Sequence, residues 1–94
     1  MSDETRRLTA RITGMVQGVG FRYWTARKAD ELALKGTVRN EHDGSVMLVA
    51  EGADPDLAHL VAWLQSKGAP GRVDDVDINL GDATGEFTDF RISG

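Results

Sequence analysis

The sequence contains no cysteine. Disulfides, thiol nucleophiles and thiolate metal sites are excluded together, and the composition suits a reducing cytoplasm. No apolar run approaches the roughly 20 residues that a membrane span requires. The stretch Met1-Ser2-Asp3-Glu4-Thr5-Arg6-Arg7 lacks the apolar core of a secretory leader. There is no excess of positive charge. The formal net charge is -4 and the pI is about 5.0, so nucleic acid and anionic membrane gain no global attraction. Any anion site must therefore be local. His42 and His59 lack metal-ligand spacing. The acidic run Asp74-Asp75-Val76-Asp77 lacks the spacing of a calcium loop and reads as the wet face of a strand. Ser45 and Ser66 have no nearby base and no nucleophile elbow. No metal and no cofactor is expected.

What is present suits one small domain over residues 1–94, with 40% hydrophobic and 28% charged residues and a modest core. No repeat, linker or low-complexity segment interrupts it. Leu8, Ala10 and Ile12 alternate with Arg7, Thr9, Arg11 and Thr13, which predicts a half-buried strand. Gly14-Met15-Val16-Gln17-Gly18-Val19-Gly20 follows as a glycine-punctuated loop. A helix is expected from about Phe21 to Leu34. Its inner stripe is Phe21, Thr25, Ala29 and Leu32, Lys28 snorkels, and Gly36 is the stop. Thr37–Asn40 and Ser45–Glu51 read as a hairpin turned at Asp43-Gly44. Asp54-Pro55 reads as an N-cap followed by proline at the first helical position. Leu57, Leu60, Val61 and Leu64 form the inner face of this second helix, and Gly68 ends it. In the segment Val73–Leu80, Val76, Ile78 and Leu80 alternate with polar residues. Gly81–Gly85 turns the chain, and Phe87–Ile92 closes as a last strand. The fold class is α+β, a ferredoxin-like split βαβ in the order β-α-β-β-α-β with a final strand reversal. An antiparallel sheet carries two helices on one face.

In that fold the first two strands run parallel with the third between them. Their carboxyl ends share one sheet edge, about 10 Å apart. The glycine loop leaves one of these ends and Asn40 sits at the other. Gly18 and Gly20 permit backbone angles in which successive N–H groups form an anion-binding nest. The loop opens into a helix N-terminus, which also attracts anions. Arg22 in the first turn is unfavourable to the helix dipole, and a bound phosphate reverses that penalty through bidentate hydrogen bonds.

The segment Ile12-Thr13-Gly14-Met15-Val16-Gln17-Gly18-Val19-Gly20-Phe21-Arg22 resembles the loop of the acylphosphatase family, written G-x-V-Q-G-V-x-F-R. Gly36-Thr37-Val38-Arg39-Asn40-Glu41-His42-Asp43-Gly44-Ser45-Val46, with Gly52 beyond, resembles the second motif of that family. The likeness extends from about Arg7 to Ile92 and includes Gly68-Ala69-Pro70 and Phe90-Arg91-Ile92. One departure is Thr37, where the family usually carries an aromatic residue. Strand alternation puts Thr37 on the face opposite Asn40, so local packing is affected more than chemistry.

The resemblance implies hydrolysis of the carboxyl–phosphate bond of acyl phosphates by direct water attack, with no metal and no phosphoenzyme. Arg22 then binds the phosphoryl group and Asn40 orients the attacking water. Gln17, Gly18, Val19, Gly20 and Phe21 form the substrate loop, where Gln17 either binds substrate or stabilises the loop. Inorganic phosphate or sulfate is the expected site anion, and the expected form is a cytoplasmic monomer with no nucleic-acid or membrane partner. Gly94 is expected near Arg22, its carboxylate aiming the guanidinium. Two other readings are a non-catalytic or carbamoyl-phosphate-handling domain and an RRM-like RNA-binding module. The first occurs inside larger maturation enzymes, and a short chain without a linker tail favours a stand-alone enzyme over it. The second needs aromatic residues on central strands that here offer neither Phe nor Tyr.

Overall fold

A computed structural model describes residues 4–93. The chain order is β1 (Thr5–Met15), α1 (Phe21–Glu31), β2 (Lys35–Asn40), β3 (Val46–Ala53), α2 (Asp54–Leu64), β4 (Arg72–Asp82) and β5 (Phe90–Ser93). The sheet order is β4-β1-β3-β2-β5. As the split βαβ pattern requires, β3 lies between β1 and β2 and is antiparallel to both. The sheet departs from an all-antiparallel one at its edge, because β5 pairs parallel to β2. It is a mixed sheet.

Alternation along the strands builds the core. Leu8, Ala10 and Ile12 of β1, Val38 of β2 and Val46, Leu48 and Ala50 of β3 are buried on the face that receives both helices. The helices answer with Phe21, Thr25 and Ala29 from α1 and Leu57, Leu60 and Leu64 from α2. This is the inner stripe expected from the helical period.

Several boundaries differ from the sequence expectation. β1 runs on to Met15, with a register irregularity against β4 between Thr13 and Gly14. The loop before α1 is correspondingly shorter. α1 stops at Glu31, and Ala33 adopts φ 58 just beyond it. Gly36 is therefore not the helix stop. It sits inside β2 at φ 152, where an added Cβ would lie 1.8 Å from the Val49 carbonyl oxygen. The glycine is needed for close strand approach. Asp54 is the first residue of α2 and Ala53 holds the cap position, without a side-chain cap. α2 ends at Leu64 with Gln65 as its C-cap, ahead of Gly68. The last strand begins at Phe90 instead of Phe87. Ile78 and Leu80, on the face of β4 opposite its acidic row, are 42% and 53% exposed. β4 is an edge strand, and α2 leaves an apolar groove of about 420 Å³ between itself and these two residues.

The chain must pass from β4 at one edge to β5 at the other. One buried carboxylate holds this crossover. Arg7 and Glu51 are register partners on the face opposite the helices. Glu51 Oε2 accepts from Arg7 Nε at 2.8 Å and from the Thr84 backbone N–H at 2.9 Å, and its Oε1 accepts from the Gly85 N–H at 3.0 Å. The Arg7 guanidinium also stacks over Phe87, 5.2 Å from the ring centroid. Burial raises the Glu51 pKa, but the donors from Thr84, Arg7 and Gly85 outweigh burial and hold it below the ordinary glutamate value. A carboxylate with a depressed native pKa contributes stability above its unfolded value of about 4.3. That contribution disappears as pH falls through the lower native value. Glu51→Gln should cost about 1–3 kcal/mol at neutral pH. Thermal melting across pH should show that the variant has a flatter acid limb below pH about 5 than the parent.

Candidate active site

The Ile12 and Asn40 positions are both register partners of Val46, one from each side of β3. The ends of β1 and β2 therefore share one sheet edge, two strand spacings apart. The chain leaves β1 through Val16-Gln17-Gly18-Val19-Gly20 and enters α1 at Phe21. Gly18 and Gly20 both adopt φ 77, and Gly20 is the N-cap of α1 with no side chain capping it. The first intrahelical bond runs from the Trp24 N–H to the Gly20 carbonyl at 3.1 Å. The N–H groups of Phe21, Arg22 and Tyr23 thus have no acceptor within the helix. This is an arrangement that can cradle an anion, with two left-handed glycines, backbone N–H donors and the positive end of a helix dipole.

A cleft of about 160 Å³ opens here, lined in part by Gly18, Gly20, Arg22, Tyr23 and Ile92. Phe21 lies at its base, but its side chain is 1% exposed and belongs to the core. Phe21 therefore meets the cleft chiefly through its backbone. Among the described residues, no three His, Asp or Glu side chains converge in a way that could hold a metal ion.

Gln17 connects the two halves of the site. Its Nε2 donates to the Glu41 carbonyl at 2.9 Å and to the Ser45 carbonyl at 2.8 Å. Both acceptors belong to the β2–β3 hairpin, and Glu41 directly follows Asn40. The hairpin is itself braced. The Ser45 N–H and Oγ donate to Asp43 Oδ1 at 3.0 and 2.6 Å, and Arg11 Nη2 donates to Asp43 Oδ2 at 2.6 Å. The Ser45 donors, then Arg11, hold the Asp43 carboxyl well below the usual carboxylate range. Asn40 shares the helix-facing side of β2 with buried Val38, and its Oδ1 is buried without a hydrogen-bond partner among the described residues. A buried acceptor in that state is costly unless a water or ligand completes it.

Gln17, Gly18, Val19, Gly20, Phe21, Arg22 and Asn40 all lie on segments at this one edge. The Gly94 expectation falls outside the described residues. β5 does run toward the loop, and Ile92 reaches the Arg22 cleft. Sequence reasoning missed Tyr23 and Ile92 as cleft walls. Tyr23 was visible as an aromatic off the inner stripe of α1. Ile92 carried no local signal, because its place depends on the crossover to the far edge. His42 and His59 are exposed, and Trp63 packs partly against the core.

The fold defines a ferredoxin-like α+β protein whose glycine loop and α1 N-terminus lie at the carboxyl ends of β1 and β2. A family model for acylphosphatase matches residues 8–92. An acylphosphatase of Paenarthrobacter aurescens (strain TC1) is 73% identical over 92 residues, covering 98% of each chain. The crystal structure of acylphosphatase from Bacillus subtilis superposes with a TM-score of 0.89 at 32% identity, over 95% of this chain and 99% of that one. Full-length HypF in its phosphate- and nucleotide-bound form shares the fold at 24% identity, with a TM-score of 0.87 over 100% of this chain and 12% of HypF. The chain belongs to the acylphosphatase family. It is a hydrolase of acyl phosphates.

Removing the Gln17 donor should loosen the loop and the hairpin together. Gln17→Ala leaves the Glu41 and Ser45 carbonyls with only their backbone donors, Gly44 N–H and Glu41 N–H, and should cost about 1–2 kcal/mol. Gln17→Glu should be worse, because it sets a carboxylate against the same two acceptors. Thermal melting should rank the parent above Gln17→Ala, and Gln17→Ala above Gln17→Glu. A side chain that served only to bind phosphate would leave all three melting alike.

Proposed function

We propose that this hydrolase works by direct attack of water on the phosphoryl group, as a single domain over residues 1–94 and without a metal or a phosphoenzyme. Arg22 and the loop N–H groups from Gln17 to Phe21 hold the phosphoryl oxygens. Asn40 orients the attacking water. The observation that carries this reading is the pairing of two features at one edge. One is a cradle of N–H donors beside Arg22, and the other is the buried, unsatisfied Oδ1 of Asn40. A phosphoryl group completes the first and a water completes the second.

The chemistry needs little more. The leaving carboxylate has a conjugate acid of pKa about 4, so it departs without a strong general acid. Phosphoryl transfer depends mainly on positioning and on stabilising charge at the equatorial oxygens. A planar guanidinium and fixed backbone donors supply both. The substrate's own phosphate oxygen takes the proton from water. Inorganic phosphate or sulfate, with the same oxygens, occupies the same cradle. The absence of cysteine supports a cytoplasmic setting, and a monomer suffices because both halves of the site come from one chain.

Arg22→Ala and Asn40→Ala should fail differently. Arg22 contacts the phosphoryl group before and during reaction, so its loss should weaken phosphate binding and slow turnover, at a cost of about 2–5 kcal/mol. Arg22→Lys should recover little of this. Asn40→Ala should lower kcat by about 100-fold or more with little change in KM. Steady-state kinetics on benzoyl phosphate, with phosphate as competitive inhibitor, separates the two. Equal loss of phosphate affinity in both variants would refute the division of roles. Activity should also persist in EDTA, and its loss with recovery on adding one divalent ion would refute the metal-free step.

A further inference from the structure

Among the described residues, most of the large apolar side chains left exposed are not scattered. Met15, Val19, Tyr23, Trp24 and Ile92 all belong to the loop, the segments flanking it or the strand end beside it. Single exposed apolar residues need no explanation, but a group drawn from the segments around one loop does. Two members form walls of the cleft itself. Tyr23 is 50% exposed and Ile92 45% exposed, and both line the cavity that contains Gly18, Gly20 and Arg22.

The Tyr23 ring is also held in place. Trp24 meets it edge-on, with ring centroids 5.3 Å apart at 82°. Arg27, one helical turn on, donates from Nη1 to Tyr23 Oη at 3.3 Å and lies over both rings, 6.0 Å from the Tyr23 centroid and 5.6 Å from that of Trp24. Trp24 and Arg27 thus stiffen an aromatic wall that is half exposed to solvent. A rigid, half-exposed ring loses little entropy on binding a ligand and has apolar area left to bury.

We propose that Tyr23 and Ile92 form the subsite for the acyl group, and that it selects acyl phosphates whose acyl part is aromatic or otherwise bulky and apolar. This rests on the assignment of the phosphoryl group to the Gln17–Arg22 loop. An acyl phosphate bound there must carry its carbon chain out of the same cleft, and the walls it meets are these two. The phosphoryl end supplies affinity common to all substrates. The walls add contact only where the acyl group is large enough to touch them.

The test compares benzoyl phosphate with acetyl phosphate in the parent, Tyr23→Ala, Ile92→Ala and Tyr23→Phe. Both wall residues are about half exposed, and thermal melting checks that each variant is folded. The ratio of kcat/KM for benzoyl over acetyl phosphate should fall about tenfold in Tyr23→Ala, a change of about 1.4 kcal/mol, and should fall measurably in Ile92→Ala. Tyr23→Phe should keep most of the parent ratio. Inorganic phosphate, which has no acyl group, should inhibit Tyr23→Ala and the parent at similar concentrations. An unchanged ratio in both alanine variants would overturn the subsite while leaving the phosphate cradle standing. Equal losses on both substrates with weakened phosphate inhibition would also overturn it, because Tyr23 would then serve the cradle instead. Failure of the cradle assignment itself has a different signature, namely phosphate inhibition that Arg22→Ala leaves untouched.

Discussion

The two hydrogen bonds from Gln17 Nε2 are the constraint on which the geometry of the site rests. The glycine loop and the β2–β3 hairpin are more than twenty residues apart in sequence. Sheet pairing brings their strands to the same edge, but it leaves two loop tips free to move relative to each other. One amide spanning the Glu41 and Ser45 carbonyls removes that freedom. Each bond adds only about 1 kcal/mol to stability. Their larger effect is positional, since groups that act together in a site must be held at a separation fixed to a fraction of an ångström.

At the opposite end of the sheet, Glu51 plays a matching part for the crossover. Its carboxylate gathers Arg7, Thr84 and Gly85 and so fixes where the chain crosses from β4. That path decides that β5 arrives at the far edge parallel to β2 and delivers Ile92 to the cleft. A buried carboxylate would be destabilising if unpaired. Here every donor around it comes from the crossover or from its register partner, so desolvation is offset where it is incurred.

The protein is acidic overall, yet it handles an anion. In the proposed site the backbone dipoles of the loop, which carry no net charge, and the Arg22 guanidinium meet the phosphoryl oxygens. The acidic row on β4 lies on the edge strand at the other side of β1, away from the β2 end that carries Asn40.

Much of this was legible in the sequence because it depends on local pattern. Alternation in Leu8–Thr13 and Ser45–Glu51, the stripe Phe21-Thr25-Ala29-Leu32 and the Asp43-Gly44 turn each follow from the period or the turn chemistry of a few residues. They sufficed to order the elements, and with Gly18, Gly20, Arg22 and Asn40 they placed the cradle and its partner at one edge. Contacts between distant segments were beyond that reach. Gly36 read as a helix stop because nothing local shows the Val49 carbonyl pressing on it from the next strand. Alternation set Ile78 and Leu80 on the face opposite the acidic row without saying whether a helix covers it. The duty of Gln17 depended on which carbonyls stood opposite, and the place of Ile92 depended on the path from Thr84 to Phe90. Period and turn chemistry act over a few residues, so the sequence alone set the order of the elements and the shared edge of the glycine loop and Asn40. Close approach, coverage and clamping are properties of pairs far apart in the chain, and only the tertiary structure decided them.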